Sequence, residues 1–252
     1  HSFPTRRSSD LGQALKKRIL LLLCIFIVLF LTSFGTYKIM NSRSFQFFGG
    51  IVSRVNTKEK VVALTFDDGP SKKVDKILSI LNEENVKATF FLIGSEIDKY
   101  PDEAKKLVLS GQEIGNHTYS HNRMVFKSPS YIKKEIEDTD RLIRKIGYKD
   151  TIQFRPPNGK KLILLPYYLK QNNRKTILWD LEPNSYPEIN SDSNKIVKYV
   201  IDNAKPGSII LLHPMYDEKD ITINSIKGII EGLKKKGYTF KTVNQLLEME
   251  KK

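Results

Sequence analysis

Cysteine is almost missing. The 252-residue chain has one, Cys24, inside an apolar run near the N-terminus, so nothing beyond that run can be held by disulfides. Leu23, not a small residue, precedes it, which argues against a lipoprotein cleavage site. Acidic residues are scarce beside basic ones: 28 Asp and Glu stand against 42 Lys and Arg, a formal net charge of +14. Such a balance favours anionic surfaces. Nucleic acid is not expected among them, because there is no finger, basic zipper or aromatic–basic stacking motif. Most of the lysines read as a solvated surface. Internal repeats and low-complexity tracts are also lacking. Histidine is rare, four in all, so a pair of them close together carries information.

The N-terminal stretch comes in pieces. Residues 1–11, HSFPTRRSSDL, match the translation of a common short-read sequencing adapter and are expected to be foreign to the fold. Lys16, Lys17 and Arg18 then precede an apolar run from Ile19 to Leu31, weakly extended to Tyr37. Basic residues stay on the cytoplasmic side, so the chain beyond the apolar run is expected to be exported. The unbroken core is short for a spanning helix, which needs about 20 residues, but the extension makes up the length. Ser33-Phe34-Gly35 also offers a small-x-small cleavage site. Residues 12–37 therefore read as a signal peptide or a membrane anchor, residues 38–59 as a linker with a short ordered piece, and residues 60–252 as one domain. The domain is expected at the extracellular face, anchored or secreted, as a monomer.

In that domain short apolar runs alternate with helical patterns. Strands are predicted at 61–66, 88–93, 113–115, 153–155, 176–181, 208–212 and 238–241. Val74, Ile77, Leu78 and Leu81 recur at helical spacing, as do Ile132, Ile136, Leu142, Ile143 and Ile146, and later Ile226, Ile229, Ile230 and Leu233. Gly237 is placed to end the last of these helices. Seven strands alternating with helices predict an α/β fold with a parallel sheet. The chemically capable side chains fall at strand ends: Asp67 and Asp68, His117, Arg155, Glu182 and His213. In a closed barrel those ends form one rim.

Two motifs carry the chemistry. The apolar run of LTFDDGP ends in adjacent carboxylates, Asp67 and Asp68. Like charges that close repel unless a cation intervenes. GNHTYSH places His117 and His121 four apart, a spacing that on a helical turn puts both rings on one face. With one aspartate they make a two-nitrogen, one-oxygen set of the kind a catalytic zinc uses. Two histidines that only cap a loop are the alternative.

TFDDGP, HTYSH, RPPNG and ILLH, in that order, resemble the motifs of the NodB-type polysaccharide deacetylases, carbohydrate esterase family 4, over about residues 61–247. The resemblance implies a distorted (β/α) barrel of about seven parallel strands. It also implies metal-dependent removal of acetyl groups from N-acetylated sugars. By that pattern Asp67 is the general base, and Asp68, His117 and His121 hold a divalent metal, zinc first, with cobalt or nickel as alternatives. His213 is then the acid, Arg155 orients the base, and Leu211 lines the acetyl pocket.

Two departures stand out. Asn158, after Pro156 and Pro157, occupies the place of the family's usual tyrosine; a backbone amide there is expected to help hold the oxyanion. LWDLEPNSYP replaces the family's Asp-x-x-Asp-Trp, leaving Glu182 to orient His213, with Asp180 as a rival, and Tyr186 as the aromatic wall. The expected substrate is an extracellular N-acetylglucosamine polymer, peptidoglycan first, in a cell wall. Chitin oligomers, poly-N-acetylglucosamine and acetyl-xylan are alternatives, as is a non-catalytic glycan-binding protein on the same barrel.

Overall fold

A computed structural model describes residues 6–251; residues 1–5 of the adapter-like stretch and Lys252 lie outside the described residues. The chain opens with α1 (Arg6–Asn41), a single helix of 36 residues. Within its segment Gln13–Asn41 an 18-residue stretch has a mean hydropathy of 2.7 and buries nothing against the rest of the protein. By length and composition it suffices to cross a membrane.

Beyond α1 lie β1 (Ile51–Val52), β2 (Val61–Asp67), α2 (Val74–Glu83), β3 (Thr89–Leu92), α3 (Gly94–Lys99), α4 (Pro101–Leu109), β4 (Glu113–Asn116), α5 (Pro129–Lys145) and α6 (Leu164–Gln171). Then come β5 (Thr176–Ile177), α7 (Pro187–Asn190), α8 (Ser193–Asn203), β6 (Ser208–Leu212), α9 (Ile221–Lys235), β7 (Thr239–Phe240) and α10 (Val243–Glu248). The predicted faces of α2 and α9 are buried throughout; in α5 Ile132, Ile136 and Ile143 are buried, Leu142 is half-buried, and Ile146 follows the helix end.

All strand pairs are parallel, and they close on themselves. β2 pairs with β3 and β6, and β3 with β4. Phe154 bridges Asn116 to Thr176, and Leu181 bridges back to Ile210 of β6. The predicted strand at 153–155 is thus a single bridging residue, because Pro156 and Pro157 have no N–H to continue a ladder. The predicted strand 176–181 is also shortened. Ile51 and Val52 pair with Thr176 and Ile177, and Arg54, just after β1, bridges Ser208 of β6 in antiparallel sense, so this segment stands between β5 and β6 until Leu181 reaches β6 directly. β7 enters the same way, pairing Val61 and Val62 before β3 takes over β2 at Thr65. Two wedges at one end make the barrel uneven.

Alternation along the strands separates the two layers of the core. Val62, Leu64 and Phe66 of β2 pack outward against the helices, whereas Val61 and Ala63 point inward with Ile209 and Leu211 of β6. Thr65 and Asp67 continue the inward series toward the carboxyl rim. Gly207, just before β6, must be glycine: its φ is +78°, and a Cβ would lie 1.9 Å from the carbonyl oxygen of Val55.

Candidate active site

Asp67 closes β2 on its inward face and is 1% exposed. Strict alternation would turn Asp68 outward. Instead Asp68 takes a left-handed conformation, φ 70°, which Asp tolerates better than most side chains. Both carboxylates therefore face one cavity of about 450 Å³ at the carboxyl ends of the strands, shared with His117, His121 and His213.

Arg155 enters from below. Its backbone N–H donates to Asn116, and its fully buried guanidinium donates to Asp67 Oδ1 (2.6 Å), Thr65 Oγ1 (2.9 Å) and the Leu178 carbonyl (3.0 Å). It also lies 4.0 Å from the Phe91 ring centroid. Burial opposes ionisation of Asp67. The positive charge of Arg155 and its hydrogen bond, with a smaller electrostatic contribution from the neighbouring imidazoles, outweigh it and hold the carboxyl below its ordinary value.

His117 follows β4. Its Nδ1 lies 2.8 Å from the Arg155 carbonyl oxygen, and an oxygen of that kind only accepts, so Nδ1 carries the proton and Nε2 presents a lone pair. Burial lowers the His117 pKa despite the attraction of Asp67 and Asp68, favouring the neutral ring that a metal requires. His121 Nε2 stands 3.3 Å from Asp68 Oδ1, and the two imidazole centroids are 4.9 Å apart.

The histidines do not sit on a helical turn, contrary to the expectation from their spacing. They are brought together by a loop in which Thr118 and His121 have φ of 68° and 56°. A positive φ is an outlier for a β-branched residue. The loop is over-determined: Glu135 accepts from the Ser120 amide and hydroxyl, and the carbonyls of Thr118 and Tyr119 accept from Gly94 and Ser95. Strain held that firmly marks a functional segment.

The donor set fits a divalent cation. One ligand atom each from Asp68, His117 and His121 lies within 4.8 Å of the others. Asp68 Oδ1 is buried with no hydrogen-bond partner, an arrangement that costs free energy unless a cation fills it.

The remaining predicted residues divide. His213 lines the cavity, and its backbone N–H donates to Asn184 Oδ1. Neither Glu182 nor Asp180 is hydrogen-bonded to it among the described residues. Glu182 Oε2 accepts from Trp179 Nε1 (2.9 Å) and Arg43 (3.1 Å). Asp180 is turned back to Ser208 and the Ile209 amide.

Asn158 lines the cavity in a left-handed conformation, φ 55°, set by the turn Pro157–Gly159, with Pro157 itself buried. Leu211 is wholly buried in the inner core, one inward step below His213; it is Leu178 that lines the cavity. Tyr186 is half-exposed and packs on Tyr199 (5.4 Å), because it begins α7 and leans toward α8. Ser185 faces the cavity in its place.

Several lining residues are not among those expected from the sequence: Asn41, Arg43, Arg123, Lys160, Leu178 and Trp179. Asn41 and Arg43 come from the end of α1 and the segment after it, where no motif signals a site. Trp179, the one tryptophan, was the available signal.

Comparison with known proteins agrees with this geometry. The family model described as polysaccharide deacetylase matches residues 54–177. A peptidoglycan-N-acetylglucosamine deacetylase of Bacillus cereus is 34% identical over 200 residues, 79% of this chain and 93% of the relative. A peptidoglycan-N-acetylmuramic acid deacetylase of Bacillus subtilis is 33% identical, with 76% of this chain and 73% of the relative covered. Among solved structures, a carbohydrate esterase family 4 pseudoenzyme of Bacillus anthracis superposes with a TM-score of 0.71 at 28% identity, over 79% of this chain and 69% of that one. From motifs, barrel, converged residues and relatives together, this chain belongs to the polysaccharide deacetylases of carbohydrate esterase family 4.

Proposed function

We propose that this protein is a metal-dependent hydrolase that removes N-acetyl groups from an extracellular N-acetylglucosamine-containing polysaccharide, with peptidoglycan as the substrate. The observation that carries the reading is the division of labour between neighbouring carboxylates. Arg155 pins Asp67, while Asp68 keeps a buried oxygen free toward two imidazoles.

Asp68, His117 and His121 would hold the ion, zinc by preference for two imidazoles and one carboxylate, with cobalt or nickel as substitutes. Such an ion supplies Lewis-acid activation of the acetamido carbonyl and of the attacking water. Asp67, kept ionised by Arg155, takes a proton from that water as its oxygen joins the acyl carbon. The Asn158 amide at the cavity wall is the candidate donor to the developing oxyanion. His213 gives a proton to the nitrogen as the C–N bond breaks, releasing acetate and a free amine. With Glu182 engaged elsewhere, His213 is positioned through its backbone and Asn184.

Relatives named as peptidoglycan deacetylases support the wall substrate. The apolar α1 supports export, as an anchor or a signal, with a monomer acting at the extracellular face. The similarity to a pseudoenzyme keeps a glycan-binding protein as the competing reading. The retained Asp67, Asp68, His117, His121, Arg155 and His213 argue for catalysis.

The experiment is acetate release by the full chain in detergent with added zinc, on peptidoglycan and on chitin oligomers, with Asp67→Asn as control. Release on peptidoglycan that vanishes in the variant supports the reading. Release on chitin alone names a different polymer. No release from any substrate, with glycan binding retained, replaces the enzyme with the binding protein.

A further inference from the structure

The end of α1 is built into the rim of the catalytic cavity. Asn41, its last residue, accepts from Lys160 Nζ, and the Ser42 carbonyl accepts from Nζ of the buried Lys161. Asn41, Arg43 and Lys160 all line the cavity. The apolar stretch of α1 buries nothing, so the domain stands beyond its C-terminal end rather than alongside it. Residues 19–37 cover about 28 Å at the helical rise, close to the hydrocarbon thickness of a bilayer. Asn41, one turn further on, then lies at the level of the headgroups.

Apolar side chains gather at that level. Phe45 follows Asn41 by four residues, a reach of at most about 14 Å. It meets Phe47 edge to face at 5.5 Å, and Phe48 meets Tyr167 of α6 at 5.4 Å. Leu164 begins α6 one turn before Tyr167, and Ile163 precedes it. Beyond α1, nine large apolar or aromatic side chains are exposed among the described residues; Phe45, Phe47, Ile163, Leu164 and Tyr167 are five of the nine. Exposed apolar surface concentrated in this way marks an interaction site. Charge agrees: residues 38–50 and 159–171 contain five basic residues and no acidic one. Arg43 is answered by Glu182, but Lys38 and Lys170 have no carboxylate partner among the described residues. They lie over the rings of Phe34 (5.6 Å) and Phe48 (6.0 Å). Apolar rings with lysines beside them suit the boundary between acyl chains and anionic headgroups.

We infer that Phe45, Phe47, Ile163, Leu164 and Tyr167 form a lipid-contact surface that seats the domain on an anionic bilayer around α1. The catalytic mouth then lies on the headgroup side, and the opposite end of the barrel points away from the membrane. The inference rests on α1 spanning the bilayer and is independent of the deacetylase reading.

The test uses the full chain in vesicles of phosphatidylglycerol and phosphatidylcholine. In a Cys24→Ala background, which removes the one cysteine, a polarity-sensitive dye is attached through Leu164→Cys, Tyr167→Cys or Leu109→Cys. Leu109 is 86% exposed and ends α4 just before β4 begins, at the end of the barrel opposite the cavity. Flotation with the vesicles checks insertion of α1; a chain that does not float refutes the span and the inference with it. In chains that float, the dyes at positions 164 and 167 should shift to the blue and be quenched by doxyl-labelled lipid. The dye at position 109 should do neither. Phe45→Ser/Phe47→Ser should weaken the quenching at position 167, and so should vesicles of phosphatidylcholine alone, which lack the anionic charge. Equal quenching at positions 164 and 109, or none at 164 and 167, overturns the inference. Equal quenching on the neutral vesicles overturns the preference for anionic lipid. A blue shift that grows with protein concentration and is untouched by doxyl lipid assigns the patch to a second copy of the chain, and overturns the inference as well.

Discussion

Arg155 and Asp67 form a buried ion pair, Nη1 to Oδ1 2.6 Å, with neither side chain more than 2% exposed. The same arginine offers its backbone carbonyl to Nδ1 of His117 at 2.8 Å. One residue thus sets the charge of the proposed base and the tautomer of a proposed ligand. It can do so because Phe154, just before it, is the single residue that bridges β4 to β5.

Replacing Arg155 by Met should leave the Asp67 charge buried and unpaired. We expect a loss of about 3–5 kcal/mol in stability, the usual cost of breaking a buried pair, read as a lower melting midpoint. Asp67 also loses the charge that lowers its pKa, so its pKa rises. In whatever activity survives, the acid limb of the kcat/KM profile should move to higher pH.

Asp67→Asn separates base from ligand. Acetate release should fall by about 10²–10⁴-fold, the range for a lost general base, while bound metal per chain stays as in the wild type. Metal loss together with activity would instead place Asp67 among the ligands.

Chelation should abolish acetate release, and zinc should restore it. His121→Ala should weaken metal binding by removing one of three protein donors. Trp179, the single tryptophan, borders the same cavity. Cobalt titration should therefore quench its fluorescence, with a midpoint shifted to higher cobalt in His121→Ala.

At the opposite end of the barrel, Glu113 is 3% exposed and accepts from the Asn244 amide at 2.8 Å. Burial pushes its carboxyl up to about 7 despite hydrogen bonds from Thr242, Asn244 and Thr89. Between its ordinary 4.5 and about 7, the folded protein keeps a proton that the unfolded chain has released. Stability from this group is full below that window, falls as pH rises through it, and is lost above it, by about 3 kcal/mol in all. Glu113→Gln keeps an acceptor for Asn244 and should flatten the dependence, melting higher than the wild type at pH 8. Equal slopes from pH 4.5 to 8 would count against a raised Glu113.

Gly207→Ala adds a Cβ at a φ of +78° and 1.9 Å from the Val55 oxygen. The Gly207 carbonyl also accepts from the Val55 amide, so the turn cannot shift without losing that bond. A destabilisation of about 3 kcal/mol or more is expected in a denaturant melt.

The strands with full apolar runs, 61–66 and 208–212, and the faces of α2, α5 and α9 were legible in sequence, because burial there follows a fixed period. The shortened strands were not. What limits Phe154 to one bridge and Thr176–Ile177 to two pairs is the β1 wedge and the prolines, which depend on which segment lies alongside. The paired histidines were legible by number and spacing but not by conformation: positive φ values at Thr118 and His121, not a helical turn, bring them together.

The sequence by itself determined the residue types of the site, since the proposed base, metal donors and acid are chemical identities written at or just after strand ends. Tertiary structure alone decided their partners. Glu182 answers to Trp179 and Arg43 rather than His213, Leu178 rather than Leu211 faces the cavity, and Tyr186 leans on Tyr199. It also brought Asn41 and Arg43 to the catalytic mouth. The physical reason is reach: a hydrogen bond or ion pair acts over about 3–4 Å, and no spacing along the chain reveals which residues distant in sequence come that close once the barrel closes.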